Sequence, residues 1–174
     1  MSLDHLWAGW RSDYVNSFED GAPVAAPAAS ASEPSCVFCE IVRSDEPDEV
    51  RRVLWTGRLT VAILNAYPYC PGHVMVLPIR HIRDLPELTD EELAELSSGV
   101  RDAAAAVRAA YKPEGMNLGV NLGRAAGAGI PAHLHVHIVP RWIGDTNFMT
   151  SVAGVRVLPE ALDDSWAKLR AAWK

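Results

Sequence analysis

Three of the six histidines in the chain stand at every second position of "HLHVHIVPR", residues 133–141. Along an extended strand successive side chains point to opposite faces, so His133, His135 and His137 share one face and Leu134, Val136 and Ile138 the other. Such a row of imidazoles can ligate a metal directly, or one ring can act as a nucleophile tuned by its neighbours. Partly exposed surface histidines are the uneventful alternative. A second group, Cys36 and Cys39, has the C-x-x-C spacing of either a redox couple or half of a zinc site. A redox pair of this kind normally opens a helix within a βαβ unit. The element order of this chain supplies no such unit, so zinc is the preferred reading, and Cys70 is left as a loop or core thiol.

The elements that must position these residues follow from periodicity. "RRVLWTG" and "RLTVAILN" read as strands meeting in a hairpin at Thr56-Gly57, and "HVMVLPI" as a third strand after the turn-forming "YPYCPG". "LTDEELAELSSGVRDAAAAVRAAY" predicts a long helix with a capping box, Thr89 as N-cap and Glu92 three residues on, and Leu88 and Leu93 as a hydrophobic staple. Leu93, Leu96, Val100, Ala104, Val107 and Tyr111 mark its expected buried face, and Lys112-Pro113 its end. "MNLGVNLG" and "HLHVHIVPR" are strands separated by the loop "GRAAGAG", and "PEALDDSWAKLRAAW" is a C-terminal helix with Pro159 near its first turn. The order β, β, β, α, β, β, α predicts an α+β fold with an antiparallel sheet, one long helix and a C-terminal helix.

Residues 1–20 place Leu3, Leu6, Trp7, Trp10 and Tyr14 at helical spacing, an amphipathic extension, and residues 21–35 are an Ala/Pro/Ser linker. The compact domain is expected over residues 36–174. A hydrophobic fraction of 49%, a charged fraction of 22% and a net charge of −6 fit a soluble domain and disfavour long nucleic acid as partner. No apolar run is long enough for a membrane span, and Asp4, Asp13, Glu19 and Asp20 spoil a secretory signal, so the cytoplasm is the expected location.

"HLHVHIV" resembles the signature of the histidine triad (HIT) proteins, and "CVFCEI", "LNAYPYCPGHVMVLPIRH", "VNLG" and "HLHVHIVPRW" follow in that family's order. "LWAGWR" and "GDTNFM" resemble the bacterial branch with diadenosine tetraphosphate phosphorylases and fragile-histidine-triad-type hydrolases. The resemblance implies a HIT-like fold and a nucleotide phosphorylase or hydrolase in which His135 attacks the α-phosphorus and His137 assists. It implies substrate contacts at Asn65 and Asn121, with His73 nearby, and a zinc site of Cys36, Cys39, His81 and His133. A homodimer is also implied, and magnesium entering with the nucleotide is the accompanying expectation. Many members carry Gly-Gln-Ser or Gly-Gln-Thr before the triad, where this chain has "GAGIPAH" with Gly129 and Ile130. Backbone amides, Asn121, Asp145, Thr146 or Asn147 are the candidates to take over those phosphate contacts. The alternatives are an adenosine phosphoramidate hydrolase, a nucleotide-binding protein with little turnover, and a catalytic metal site built on the triad.

Overall fold

In a computed structural model the chain is described over residues 36–145 and 159–174. The N-terminal extension and linker, and with them Thr146 and Asn147, lie outside the described residues. Five strands form one antiparallel sheet: β1 (Val53–Thr56), β2 (Thr60–Leu64), β3 (Val74–Pro78), β4 (Gly115–Val120) and β5 (Val136–Arg141), in the order β1-β2-β3-β5-β4. The continuous apolar runs "TVAIL" and "VMVLP" become β2 and β3, buried along their whole length because both faces of the sheet are covered there.

Four helices accompany the sheet among the described residues: α1 (Val37–Arg43), α2 (Asp48–Arg51), α3 (Asp90–Tyr111) and α4 (Leu162–Ala172). The first two go beyond what periodicity predicts; α1 is only two turns long and rich in the β-branched residues that usually mark strands. On one face of the sheet Leu54, Ala62, Leu64, Val74, Val76, Leu134 and Ile138 pack under α3 and α4 through Leu96, Ala103, Val107 and Leu169. On the other face Val53, Val61, Ile63, Met75 and Leu77 pack with Phe38 of α1. Directly paired strand residues share a face, and His137 pairs with Met75, so the histidines belong to this second, less covered face.

The expected capping box forms: Thr89 Oγ1 accepts from the Glu92 N–H at 3.2 Å, and Glu92 Oε2 accepts from the Thr89 N–H at 2.8 Å. The buried face of α3 is rotated from the expected one, running through Leu96, Gly99, Ala103, Ala106 and Val107, while Leu93 is 47% exposed. Small residues explain the rotation. A Cβ on Gly99 would lie 3.1 Å from Val76 Cγ1, so the helix meets the sheet most closely where it has least side chain. Glu92, 4% exposed, takes the position an apolar residue would have filled and is paired with Arg80 at 2.8 Å. That pairing, with the Thr89 backbone bond, holds its carboxyl down at about 2. Helix α3 ends as expected before Pro113, with Lys112 in the left-handed region at φ 48°.

Pro159 lies outside α4, whose N-cap is Ala161; the first turn is marked instead by Asp163 and Asp164. Trp166 Nε1 donates to the Val53 carbonyl at 2.8 Å, and Trp173 stacks on Trp55 at 6.2 Å, so both C-terminal tryptophans tie α4 to the sheet. Strand β5 opens at Val136. His133 to His135 form an extended approach to it, held by the Leu134 N–H bonded to the Ile82 carbonyl at 2.6 Å. The alternation of faces continues through this approach, since Leu134 points into the helix-side core while the rings of His133 and His135 pack on Phe38.

Candidate active site and metal centre

The four residues Cys36, Cys39, His81 and His133 bring their ligating atoms within 4.8 Å of one another. Cys36 Sγ lies 3.3 Å from His133 Nδ1, Cys39 Sγ 3.2 Å from His81 Nδ1 and 3.7 Å from His133 Nδ1. A tetrahedron with bonds of about 2.1 Å to nitrogen and 2.3 Å to sulfur has edges of roughly 3.4 to 3.8 Å. The donor set therefore fits a zinc ion in both chemistry and spacing. Cys36 is the N-cap of α1 and Cys39 lies in its first turn, so the pair does open a helix, against the expectation from element order. Two imidazoles from distant parts of the chain, rather than the local context, separate the metal reading from the redox one.

The ring of each buried histidine has its tautomer set by a partner of fixed polarity. His133 Nε2 lies 2.9 Å from the Pro78 carbonyl, which can only accept, so the proton sits there and the Nδ1 lone pair faces the thiols. His135 Nδ1 lies 2.8 Å from the His133 carbonyl, so Nδ1 is protonated and the Nε2 of the neutral ring carries the lone pair. The Tyr69 N–H donates to His73 Nδ1 at 3.1 Å, leaving His73 Nε2–H to donate to His137 Nδ1 at 3.0 Å. His137 in turn keeps its proton on Nε2. Its ring lies 4.8 Å from that of His135.

Burial favours the neutral form of the three rings in the row, His133, His135 and His137. Loss of hydration lowers the pKa of His135, and lowers that of His137 to about 4, with the nearby His135 ring adding to the effect. Because His137 titrates below its unfolded value of about 6.5, the unfolded chain binds more protons between those two values. Stability is thus fully present above about pH 6.5 and falls as the pH drops toward 4, by about 2 to 3 kcal/mol from this residue after a discount for its partial exposure. Denaturant titrations at pH 7 and pH 4.5 should show that loss, with a shallower slope in a His137→Asn variant; an unchanged slope would remove the assignment.

The expected substrate residues are distributed unevenly. His73 is fully buried and is bonded to His137, which brings it into the histidine cluster. Asn65, half-buried between β2 and the following loop, accepts from the Tyr67 N–H at 2.9 Å and places Nδ2 3.2 Å from His73 Nδ1. Its side chain thus orders the loop and braces His73. Asn121 follows β4 directly and is half-buried. Gly129 is exposed, with nothing within 4 Å of where a Cβ would stand, and Ile130 packs against the cluster around Phe38. Asp145 forms a two-pronged pair with Arg141 at 2.6 Å, so its charge is matched within the protein. Cys70 donates to the Pro140 carbonyl at 3.1 Å.

Sequence reasoning misses a cavity of about 270 Å³ lined by residues including Phe38, Ile41, Ile63, Tyr67, Met75 and Ile130. Phe38 forms its wall and packs edge-on against His135, with ring centroids 5.1 Å apart. The signal lies in "CVFCEIV", whose apolar residues pass for mere surroundings of the cysteines.

A HIT domain family model matches residues 47–142. The chain is 41% identical to a Mycobacterium tuberculosis protein named AP-4-A phosphorylase, over 98% of this chain and 85% of that one. Among solved structures it resembles a HIT-like protein involved in cell-cycle regulation from Bartonella henselae, with TM-score 0.66 and 26% identity over 82% of this chain and 98% of that one. It also resembles a zinc-bound histidine triad family protein from Mycobacterium smegmatis, with TM-score 0.64 and 31% identity over 79% and 92%. With the histidine row, the antiparallel sheet and the family match in agreement, the chain belongs to the HIT-domain family.

Proposed function

We propose that the protein cleaves dinucleoside polyphosphates of the diadenosine tetraphosphate type through a nucleotidyl intermediate on His135, with inorganic phosphate as the acceptor. The observation that carries this reading is the His135 ring itself: fixed by the His133 carbonyl with the lone pair left on Nε2, and packed on Phe38, which lines an apolar cavity of about 270 Å³. The likeness to the mycobacterial AP-4-A phosphorylase supports the substrate class and the acceptor.

In the first step His135 Nε2 attacks the α-phosphorus, the bond from that phosphorus to its bridging oxygen breaks, and ATP leaves. His137 Nε2–H gives a proton to the departing oxygen, and His73 holds the His137 ring by its hydrogen bond. In the second step a phosphate oxygen attacks the adenylyl group, releasing ADP and restoring the free imidazole. The adenosine of the transferred group occupies the cavity walled by Phe38 and Ile130.

A structural zinc on Cys36, Cys39, His81 and His133 belongs to this proposal; when bound it supplies no acid or base but pins α1 to the approach of β5. Paired with reduced thiols, it suits the cytoplasm. The active form proposed is a homodimer joined through β4, which lies at one edge of the sheet and has Leu118 53% exposed. Leu118→Lys is expected to shift the sedimentation coefficient to that of a monomer; an unchanged value would exclude this edge.

The deciding experiment is incubation with diadenosine tetraphosphate with and without phosphate, separating products by mass-resolved chromatography. ADP and ATP formed only with phosphate are expected. AMP and ATP without phosphate would replace phosphorolysis with hydrolysis. No His135-dependent product would end the reading in favour of phosphoramidates or of binding alone.

A further inference from the structure

The loop between β2 and β3 carries two tyrosines with exposed ring surface. Tyr67 is 87% exposed and Tyr69 46%, although each is held at the backbone, Tyr67 N–H by Asn65 and Tyr69 N–H by His73. Cys70, next along, is bonded to the Pro140 carbonyl of β5, so the loop is fixed against the active-site strand. Tyr67 lines the apolar cavity. Tyr69 stands on the other side of the chemistry: its ring lies 4.6 Å from that of His73 and is stacked on that of His137 at 6.0 Å and 27°.

An in-line displacement sends the leaving oxygen away from the attacking nitrogen. With the transferred nucleoside in the cavity on the Phe38 side of His135, the departing nucleotide runs past His137, the ring Tyr69 overlies. The neighbouring strand leaves room there. Gly119 of β4 is the register partner of His137, is exposed, and has no atom within 4 Å of where a Cβ would stand. A half-exposed aromatic ring beside open space along the exit path is the arrangement that stacks a nucleobase.

We propose that Tyr69 is the stacking platform for the base of the leaving nucleotide, with the open floor at Gly119 admitting it, so that this site selects substrates carrying two nucleosides. The inference rests on the reaction proposed above and specifies its substrate selectivity. It requires nothing from Tyr69 in the chemical step.

The test compares two substrates that share the adenylyl group: diadenosine tetraphosphate, and the trifluoroethyl ester of adenosine 5′-monophosphate, whose leaving group has no ring to stack. Tyr69→Leu is expected to raise KM for the tetraphosphate about tenfold, the loss of one base stack, with kcat for the trifluoroethyl ester unchanged. Tyr69→Phe should restore the wild-type KM, since stacking needs the ring and not the hydroxyl. Gly119→Val, which a strand tolerates well, should reproduce the tetraphosphate defect by filling the floor. Equal losses on both substrates in Tyr69→Leu would mean that the ring merely supports His73 and His137, overturning the proposal while leaving the reaction intact. A wild-type protein that turned over the ester but not the tetraphosphate would overturn it too, and no turnover of either would overturn the underlying reaction.

Discussion

His135→Ala is expected to lower turnover of a dinucleoside tetraphosphate by at least about 10⁴-fold while leaving the fold and nucleotide binding in place. The magnitude follows from its role as the atom that forms the bond: without Nε2 the two displacements collapse into one direct attack by phosphate, with no covalent step to divide the barrier. His137→Ala should cost less, about 10² to 10⁴-fold, because water can replace a proton donor more readily than a nucleophile. His135 packs on Phe38 and bonds only to the His133 carbonyl among the contacts that fix its ring, so truncation removes no bond between elements. Circular dichroism and nucleotide titration calorimetry should therefore match the wild type. The decisive signature is an adenylylated protein trapped by acid quench and mass spectrometry, present in the wild type and absent in His135→Ala. A variant retaining more than a tenth of the activity would eliminate histidine-linked transfer.

The second large effect concerns the Cys36, Cys39, His81 and His133 cluster. Protein purified without added metal is expected to contain close to one zinc per chain, and Cys39→Ala close to none. Zinc bonded to two thiolates and two imidazoles contributes to folding because the unfolded chain has no such site. The sheet and its helix layer have a core of their own, so the metal-free chain stays folded, less stable by about 4 kcal/mol and with Tm lower by about 10 °C. Activity should fall along with stability, since the His133 carbonyl that orients His135 belongs to a residue the metal would hold. Differential scanning calorimetry with and without a strong chelator measures the shift, and thiol titration reports the exposure of Cys36 and Cys39. Zinc content near zero with freely reactive thiols would sink the site.

Features with a strict local period are legible in the residues alone. The alternation at 133–137 and the Thr89/Glu92 capping box are each complete within a few residues, and the fold contains both. What periodicity does not reveal depends on pairings across the chain. It points to the wrong face of α3 because Leu93 outranks Gly99 and Ala103 in hydrophobicity, whereas closeness of approach to Val76 favours the small residues. Glu92 is buried only because Arg80, twelve residues upstream, meets it, and no periodic pattern announces that. Short helices such as α1 are decided by what they cover, here the face holding Met75 and Leu77, rather than by propensity. In the site, His73 is legible as a histidine before a strand, but its bond to His137 spans 64 residues.

Strand β5, with the approach that carries the proposed nucleophile, is the last of the five to be made, yet it inserts between β3 and β4. During synthesis one edge of β3, with its fully buried Val74 and Val76, must wait unpaired until residues 136–141 have left the ribosome. Until then a growing chain presents a bare apolar strand edge, the kind of surface that recruits chaperones or neighbouring chains. The histidine row and the seal on that edge arrive together, so a chain that has completed the row has, by the same event, left its most aggregation-prone stage behind.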